Sequence, residues 1–326
     1  MKSNDEDEIK VLTCNLEHDG GPDVRPGTPP RKWFDAHEML ASKKPDILFR
    51  QEMTYSEQND YSRLKSAMRL LSGEARDVHG WVTPSGKGKN PTGLFLNVSK
   101  FTFLERHEHT AIWRTLPTNV SAHLAEVPER PIVLVSWHGA FNSPNTREAE
   151  GDEVSALVDK VKQGMGFMGG CDGNEYPVPA GETVPPVDWA NPEITDKVHR
   201  HHRARRQPDG TWQSCTYVDQ TLLGCGMHDP ARYAAHVRHQ TSSDPLAPTA
   251  GHAATGQGGG RRIDRIYLDG WLVQAVLGVE VIDTTGISDH HAVMVTLARR
   301  KAAELLRDRP ELPGHFADPT TYQGAA

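Results

Sequence analysis

The sequence predicts a domain of the α/β class rather than a helical bundle. Short apolar runs of strand length recur along the chain, and segments in which apolar residues have helical spacing lie between several of them. The 326 residues allow one large domain or two small ones. No apolar run reaches the roughly 18 residues that a membrane-spanning helix needs, so we expect no membrane span.

The first half of the chain alternates predicted strands with predicted helices. In the segment 33–42, Trp33, His37 and Leu40 follow one another at the spacing of one helical face, and Pro45 ends the helix. Further helices are predicted over 61–71 and 147–162. The apolar runs predict strands over residues 9–14, 46–49, 93–98, 101–104, 131–137 and 165–168.

Residues 177–260 interrupt this alternation. They are rich in Pro, Gly, His and Arg and show little periodicity, so we expect a long insertion over the domain with one short helix at 230–237. Strands over 263–268, 273–282 and 292–297 follow the insertion. The sequence thus predicts one domain over 9–298, and a terminal helix with a loose tail over 299–326.

The charge balance limits the kinds of partner. The net charge is −7 and the pI is about 6.2, whereas proteins that bind long nucleic acid without sequence preference usually carry a basic footprint. An anionic substrate must therefore be met by a local basic patch or by bound cations. The sequence gives no signal of an oligomer.

The cysteines and the N-terminus bear on the compartment. The four cysteines (Cys14, Cys171, Cys215 and Cys225) form no zinc-type pair and are too few for a disulfide framework. We expect reduced, mostly buried thiols, with a Cys215–Cys225 bridge as the alternative. Residues 1–10 are acidic and lack the pattern of a signal peptide, so we expect a cytoplasmic protein.

Polar residues recur at or just past the ends of the apolar runs, which is where sites form in open α/β sheets. Taken singly, each has an ordinary explanation as a turn, a cap or a surface ion pair. Their order and spacing together favour one site. Its carboxylates, amides and imidazoles suit a hard cation. The residues are Asn15, Gln51, Glu52, His138, Asp172, Asn174, Asp264, Asp289 and His290.

In this order the segments resemble the endonuclease/exonuclease/phosphatase superfamily, whose fold is deoxyribonuclease-I-like. The resemblance implies a four-layer α/β/β/α sandwich of two mixed β-sheets flanked by helices, and divalent-metal-dependent cleavage of phosphate esters. The matching segments are Thr13-Cys14-Asn15, Pro45-Asp46-Ile47-Leu48-Phe49-Arg50-Gln51-Glu52, Ser136-Trp137-His138, Gly170-Cys171-Asp172-Gly173-Asn174, Arg262-Ile263-Asp264-Arg265-Ile266-Tyr267 and Ser288-Asp289-His290.

Two positions depart from the family pattern. Gly173 stands where the family usually has Phe, between Asp172 and Asn174, and Ala292 stands where Pro is frequent. Neither departure removes a functional group, although the first changes the packing around Asp172.

The resemblance also implies a role for each matched side chain at a metal. Glu52 is the principal ligand, with Asn15 beside it, and Asp289 binds a second metal or orients these two residues. The implied cofactor is Mg²⁺ or Mn²⁺.

The remaining matched residues are implied to act on the phosphate. His290, oriented by a hydrogen bond to Asp264, acts as a base toward water or as a cationic clamp. Asp172 orients water or protonates the leaving group, Asn174 hydrogen-bonds a phosphoryl oxygen, and His138 is a second phosphate-contacting histidine.

The insertion holds one concentrated basic run, from His199 to Arg206. We interpret Arg200, Arg203, Arg205 and Arg206 as a phosphate-binding arm, with a solvated surface loop as the alternative. The sequence therefore predicts a metal-dependent phosphodiesterase, and the first hypothesis is a nuclease that acts on DNA or RNA. The alternatives are a phosphatase or phosphodiesterase of a small-molecule or lipid substrate, and a binding protein with a degenerate site.

Overall fold

The computed structural model describes residues 5–110, 112–252 and 254–312. Most of the predicted loose tail, residues 313–326, lies outside the described residues. The helices are α1 (Arg31–Lys43), α2 (Gln58–Ser72), α3 (Pro144–Val158), α4 (Lys197–Arg203), α5 (Tyr217–Gly224), α6 (Pro230–His236) and α7 (Arg299–Asp308). The strands are β1 (Glu8–Asn15), β2 (Ile47–Gln51), β3 (Val78–Thr83), β4 (Thr92–Asn97), β5 (Phe101–His107), β6 (Thr118–Leu124), β7 (Ile132–His138), β8 (Gly166–Asp172), β9 (Ala204–Arg206), β10 (Trp212–Ser214), β11 (Met227–His228), β12 (Asp264–Asp269), β13 (Val276–Ile282) and β14 (Ala292–Ala298).

Two six-stranded sheets form the centre of the molecule. Sheet 1 has the order β13-β14-β1-β2-β4-β3, and sheet 2 has the order β11-β12-β8-β7-β6-β5. Each sheet is mixed, because β1 pairs with β2 and β7 pairs with β8 in parallel, while their other neighbours are antiparallel. The short strands β9 and β10 form a separate antiparallel pair.

The sheets pack face to face over a continuous apolar core. Ile9, Val11 and Phe49 of sheet 1 meet Leu134 and Ile266 of sheet 2, and all five are fully buried or nearly so. The alternation of side chains along each strand sends the next residues to the outer faces. There α1 and α2 cover sheet 1, and α3 and α5 cover sheet 2. The four-layer α/β/β/α sandwich is therefore confirmed.

The insertion contains more regular structure than its composition indicates. The predicted helix near 230–237 corresponds to α6, but residues 177–260 also form α4, α5 and the strands β9 to β11. Of these, β11 extends sheet 2 beside β12, and α5 packs on α3. Part of the segment is thus a structural layer of the fold. The periodicity of short, half-buried elements is too weak to show this in sequence.

The structure bears on two further predictions. All four cysteines are free, and Cys225 is exposed while the other three are buried, so the prediction of reduced, mostly buried thiols is confirmed. Among the described helices, none combines the length and the apolar character that a bilayer span requires.

Candidate active site

The candidate site lies where the inter-sheet core opens to solvent. Side chains alternate between the two faces of a strand, so every second residue points the same way. The polar residues at the strand ends therefore point into the same layer as the core residues Val11, Leu134 and Ile266. In the pairing register His138 stands opposite Asp172, and Asp172 stands opposite Asp264. Asn15 ends β1 in sheet 1, and its Nδ2 donates a hydrogen bond to Asp172 Oδ2 across the sheets at 3.0 Å.

Three of these residues form a line of contacts through one imidazole. His290 Nδ1 lies 2.9 Å from Asp264 Oδ2 and 3.1 Å from Asp264 Oδ1. Its other nitrogen, Nε2, lies 3.8 Å from Asp172 Oδ2. Asp264 and Asp172 are buried, whereas the side chain of His290 keeps 12% of its surface exposed. The imidazole is therefore held between two carboxylates with one edge open to the cleft.

The two carboxylates favour the charged form of the ring. Burial alone would lower the pKa of His290, but Asp264 and Asp172 outweigh it and raise that pKa to about 10. Burial likewise would raise the pKa of Asp172, but His290, His138 and the N–H of Asn174 hold it well below its usual range. Burial raises the pKa of Asp264, and the pairing with His290 opposes that rise. At neutral pH the site thus favours an imidazolium beside an ionised Asp172.

A second imidazole stands on the other side of Asp172. His138 Nε2 lies 3.4 Å from Asp172 Oδ2 and 4.0 Å from Glu52 Oε1. Burial opposes charge on His138, but Asp172 and Glu52 outweigh it and raise the pKa of the imidazole. Its Nδ1 is buried and makes no hydrogen bond within the described residues. Two histidines therefore flank one carboxylate.

Glu52 is held in an unusual backbone conformation. Its φ is 56°, in the left-handed region that side chains other than glycine rarely occupy. Its carboxylate accepts a hydrogen bond from the backbone N–H of His18 at 2.7 Å through Oε2. Its Oε1 receives no hydrogen bond from the described residues, which leaves this oxygen available to a ligand in the cleft.

The donor set fits a divalent cation. Ligand-type atoms of Asp172, Asp264 and His290 all lie within 4.8 Å of one another, close enough to hold a metal ion. However, both oxygens of Asp264 are occupied by the His290 ring, so we favour Glu52 and its surroundings as the binding position. Burial raises the pKa of Asp289, and the negative charges of Glu17 and Glu52 add to this effect against that of His290. Such crowding of carboxylates is relieved by a bound cation.

Asp289 and Asn15 differ in how far they enter the site. Asn15 is buried, and its Oδ1 accepts the backbone N–H of Glu17 at 3.0 Å. The side chain of Asp289 is 64% exposed and approaches His290 Nε2 at 3.9 Å. The structure thus places Asp289 at the rim of the site, beside His290.

Asn174 follows β8 and has a left-handed φ of 48°. Its backbone N–H donates to Asp172 Oδ1 at 2.9 Å, and its Nδ2 donates to the carbonyl of Gly139 at 3.0 Å. Gly173, where the family usually has Phe, lies against the Arg265 guanidinium. The turn therefore keeps Asp172 in position without the aromatic residue.

The structure separates the four arginines of the predicted arm. Arg203 reaches the site, where its NH2 donates to Asn174 Oδ1 at 2.6 Å. Arg205 pairs with Glu148 at 2.8 Å, and Arg200 lies 4.7 Å from the centroid of the Trp212 ring. Arg206 is exposed on β9. Only Arg203 of these four contacts the residues at the strand ends.

Two residues of the site were not found by sequence. Thr249 Oγ1 accepts the backbone N–H groups of Ile263 and Asp264 at 3.0 Å each. Its carbonyl accepts the N–H of His291 at 2.6 Å, so the end of the insertion holds β12 and the histidine segment together. His18, which holds Glu52, follows β1 closely and could have been found by the rule that identified Asn15.

The comparisons with known proteins support the fold. No family model and no curated protein matches the sequence. A 3′-5′ exonuclease from Neisseria meningitidis superposes with a TM-score of 0.53 at 16% identity, covering 88% of this chain and 98% of that chain. An endonuclease/exonuclease/phosphatase family protein from Bacteroides thetaiotaomicron gives a TM-score of 0.53 at 14% identity, covering 89% and 94%. TDP2 of D. rerio, complexed with a single-strand DNA product, gives a TM-score of 0.52 at 14% identity, covering 89% of this chain and 98% of that chain. The chain therefore has the deoxyribonuclease-I-like fold that these structures share.

Proposed function

We propose that this chain, with its deoxyribonuclease-I-like fold, is a divalent-metal-dependent phosphodiesterase that acts on nucleic acid. The observation that carries the proposal is the line Asp264–His290–Asp172, with His138 and Glu52 facing the same opening of the core. The apolar core can pack without these charged groups. Burying a charged group costs free energy unless the group is paired, and clusters of buried titratable groups in a cleft occur mainly at functional sites.

Hydrolysis of a phosphate ester requires an aimed water, stabilised phosphoryl charge and a counter-charge or proton for the leaving oxygen. In its cationic form His290 can contact a phosphoryl oxygen, and Asp264 fixes the orientation of the ring. Asp172 can orient the attacking water between the two imidazoles, and His138 offers a second cation to the phosphate.

The metal site that we propose consists of Glu52, Asn15 and Asp289, with Mg²⁺ or Mn²⁺ as the ion. A bound divalent cation would polarise a phosphoryl oxygen and stabilise the leaving alkoxide. Glu52 supplies an oxygen without a hydrogen-bond donor, and Asn15 Oδ1 lies at the same strand edge. Oxygen ligands of this kind suit these two ions.

One exposed aromatic residue supports nucleic acid as the substrate. Phe141 lines the cleft beside His202 and Asn174, and 48% of its surface is exposed. The Arg114 guanidinium lies 4.8 Å from the centroid of its ring. An open aromatic face beside a phosphate site can stack a base. Two of the structural neighbours are a 3′-5′ exonuclease and a protein complexed with single-strand DNA product.

The closed side of the cleft favours one alternative, a phosphodiesterase of a small-molecule substrate. The cleft next to His290 has a volume of about 720 Å³ and is walled by α4 and by residues of the segments 250–252 and 254–261. This volume is within the range of small-ligand pockets, about 300–1,000 Å³. A substrate that enters by one end fits this shape better than a long duplex does.

We also propose the cytoplasm as the location of the protein, which four free thiols support.

A parallel assay tests the proposal. The purified chain is incubated with Mg²⁺, Mn²⁺ or EDTA and with single-stranded DNA, RNA, a phosphomonoester or bis(p-nitrophenyl) phosphate. We expect metal-dependent cleavage of the diesters, with a nucleic acid as the best substrate. Cleavage of the phosphomonoester alone would overturn the phosphodiesterase, and full activity in EDTA would overturn the metal requirement.

The assay needs a matched pair of variants. His290→Ala removes the central imidazole and should abolish the activity if the chain itself is the catalyst. His79→Ala removes an imidazole that is 57% exposed on β3 and should not change it. Equal activity in both variants would indicate a contaminating nuclease.

A further inference from the structure

Two arginines line the insertion side of the cleft, and neither forms an ion pair with a carboxylate of the described residues. Arg203 is the last residue of α4, and Arg261 directly follows the insertion. Both act on the Tyr176 hydroxyl and lower its pKa, although burial raises that pKa more strongly. Tyr176 lines the same cleft as both arginines, and the Arg261 guanidinium lies 5.9 Å from the centroid of its ring. We call Arg203 and Arg261 the guanidinium pair.

Arg203 connects this side of the cleft to the strand ends. Its NH2 donates to Asn174 Oδ1 at 2.6 Å, and its NH1 donates to the carbonyl of Phe141 at 2.6 Å. Burial and the charge of Arg147 lower the pKa of Arg203 to about 10. Since Asn174 binds Asp172, the guanidinium lies one residue away from the candidate centre.

Arg261 is held by its backbone while its side chain faces the cleft. Its N–H donates to the carbonyl of Ala250 at 2.8 Å, and Ala250 also forms a bridge with His290. Among the residues that the structure describes, the side chain donates only to the carbonyl of Gly260, through NH1 at 2.6 Å, and its buried Nε has no hydrogen-bond partner. Burial lowers the pKa of Arg261. Arg261 is therefore a half-buried cation whose Nε has no acceptor among the described residues.

The carboxylates of the cleft make no direct ion pair with either guanidinium within the described residues, although the charge of Asp172 acts on Arg203. Asp196 is engaged by the N–H of His199 at 2.8 Å and by Gln257 Nε2 at 2.9 Å. Asp289 stands on the opposite side, beside His290. A guanidinium is stabilised by an anion that accepts two of its N–H groups, and both carboxylate and phosphate have this geometry. Of these two anions, a substrate of the proposed function supplies phosphate.

We infer that the guanidinium pair forms a second anion subsite, which binds another phosphate group of the substrate whose ester is cleaved beside His290. This inference rests on the proposed function. Arg203 and Arg261 come from the insertion and its end, so the insertion provides the specificity. The enzyme then prefers a diester with a neighbouring phosphate, such as the phosphorylated end of a nucleic acid strand, over an isolated diester.

Dinucleotides with and without a terminal phosphate test the inference directly. The kcat/KM of the chain is measured with a thymidine dinucleotide that carries a 5′-phosphate, a 3′-phosphate or neither. We expect one phosphorylated form to exceed the unphosphorylated form by about tenfold or more. In Arg261→Gln this ratio should fall to near one. Arg238→Gln, at an exposed arginine outside the cleft, is the matched control and should keep the ratio.

A binding measurement separates failure of the subsite from failure of the proposed function. Inorganic phosphate is titrated into the metal-free wild-type chain and into Arg261→Gln by calorimetry, with unfolding curves to show that both are folded. We expect the Kd to rise about tenfold in the variant. An equal Kd, or a wild-type dinucleotide ratio near one, would overturn the subsite. Loss of phosphate affinity in a chain that cleaves none of the substrates would overturn the proposed function and retain the subsite.

Discussion

At the scale of single residues, the pairing of His290 with Asp264 is the feature with the greatest chemical consequence. Nδ1 is directed at the buried carboxylate, so Nε2 is the nitrogen left for the cleft. The side of the ring that can meet a substrate is thus fixed by Asp264. A carboxylate in this position also stabilises the imidazolium form.

We expect His290→Ala to lower turnover by about 10²-fold or more, the usual effect of removing a positioned acid-base group. Asp264→Asn should lower turnover on a similar scale, because it removes the charge and alters the tautomer while leaving the ring in place. Steady-state kinetics at saturating metal measure both effects. Asp283→Asn, at a carboxylate that is 76% exposed, is the control. Unchanged turnover in Asp264→Asn would contradict the assigned pairing.

A second residue-scale consequence concerns acid stability. His37 is buried, its Nδ1 lies 2.8 Å from the carbonyl of Trp33, and its Nε2 lies 3.0 Å from Arg50 NH1. Nδ1 therefore carries the proton and Nε2 accepts. Burial and the charge of Arg50 lower the pKa of His37 from its ordinary value of 6.5 to about 3.

Between about pH 3 and pH 6.5, the unfolded chain therefore binds a proton at His37 and the folded chain does not. Stability contributed by the neutral ring is complete above pH 6.5 and should be lost as the pH falls toward 3, by at most about 1.4 kcal/mol per pH unit. Urea unfolding at pH 7 and pH 5 of wild type and His37→Gln measures this. A smaller loss in the variant is expected, and identical losses would exclude His37 as the cause.

At the scale of elements, the site depends on how closely the two sheets approach. Gly170 of β8 faces Phe49 of β2, and a Cβ at position 170 would overlap the Phe49 ring. Gln51, two residues after Phe49, donates to Ser136 Oγ at 3.2 Å across the sheets. The absence of a side chain at position 170 therefore lets β2 and β8 bring Glu52 and Asp172 near one another.

We expect Gly170→Ala to destabilise the fold by about 1–3 kcal/mol, because an added methyl group overpacks the inter-sheet core. Activity should fall as well, since the strand ends move apart. Gly224→Ala is the control, because a Cβ there contacts nothing within 4 Å, and its stability should be unchanged or slightly higher. Thermal unfolding measures both, and an unshifted Tm for Gly170→Ala would contradict this account of the core.

At the scale of the whole molecule, a buried ionic network fastens the insertion to the sandwich. Glu182 pairs with Arg232 at 3.0 Å and also with Arg262, and Arg232 pairs with Asp219 at 2.9 Å. The Glu182 side chain is only 4% exposed. Arg262 adjoins Arg261, so this network also sets the position of the guanidinium pair.

We expect Glu182→Gln to destabilise the chain by about 1–3 kcal/mol, because Arg232 and Arg262 lose one buried carboxylate partner but keep Asp219 and Asp229. Urea unfolding checks the loss, with Asp159→Asn at a surface pair with Lys162 as a control that should show no measurable shift. The variant should also lose preference for a terminally phosphorylated dinucleotide. A stability equal to wild type would mean that the insertion is held by other contacts.

The sequence by itself determined nine of the twelve strands of the two sheets, the helices α1, α2 and α3 and the polar residues at the strand ends, but it missed β3, β6, β11 and the covering helix α5. These features follow from local rules: the period of the side chains along an element, and the change from apolar to polar residues at its end. Asn15, Glu52, His138, Asp172, Asp264 and His290 were identified in this way, helped by a family resemblance, and the structure brings them to one edge of the core.

Only the tertiary structure decided what the insertion does. Composition placed Arg200, Arg203, Arg205 and Arg206 in one basic run, but a helix followed by a strand turns adjacent side chains in different directions. Arg203 therefore meets Asn174 while Arg205 meets Glu148. Thr249 and Arg261 join the site through backbone pairing between distant segments. Such contacts depend on where the chain returns in space, which local periodicity does not encode.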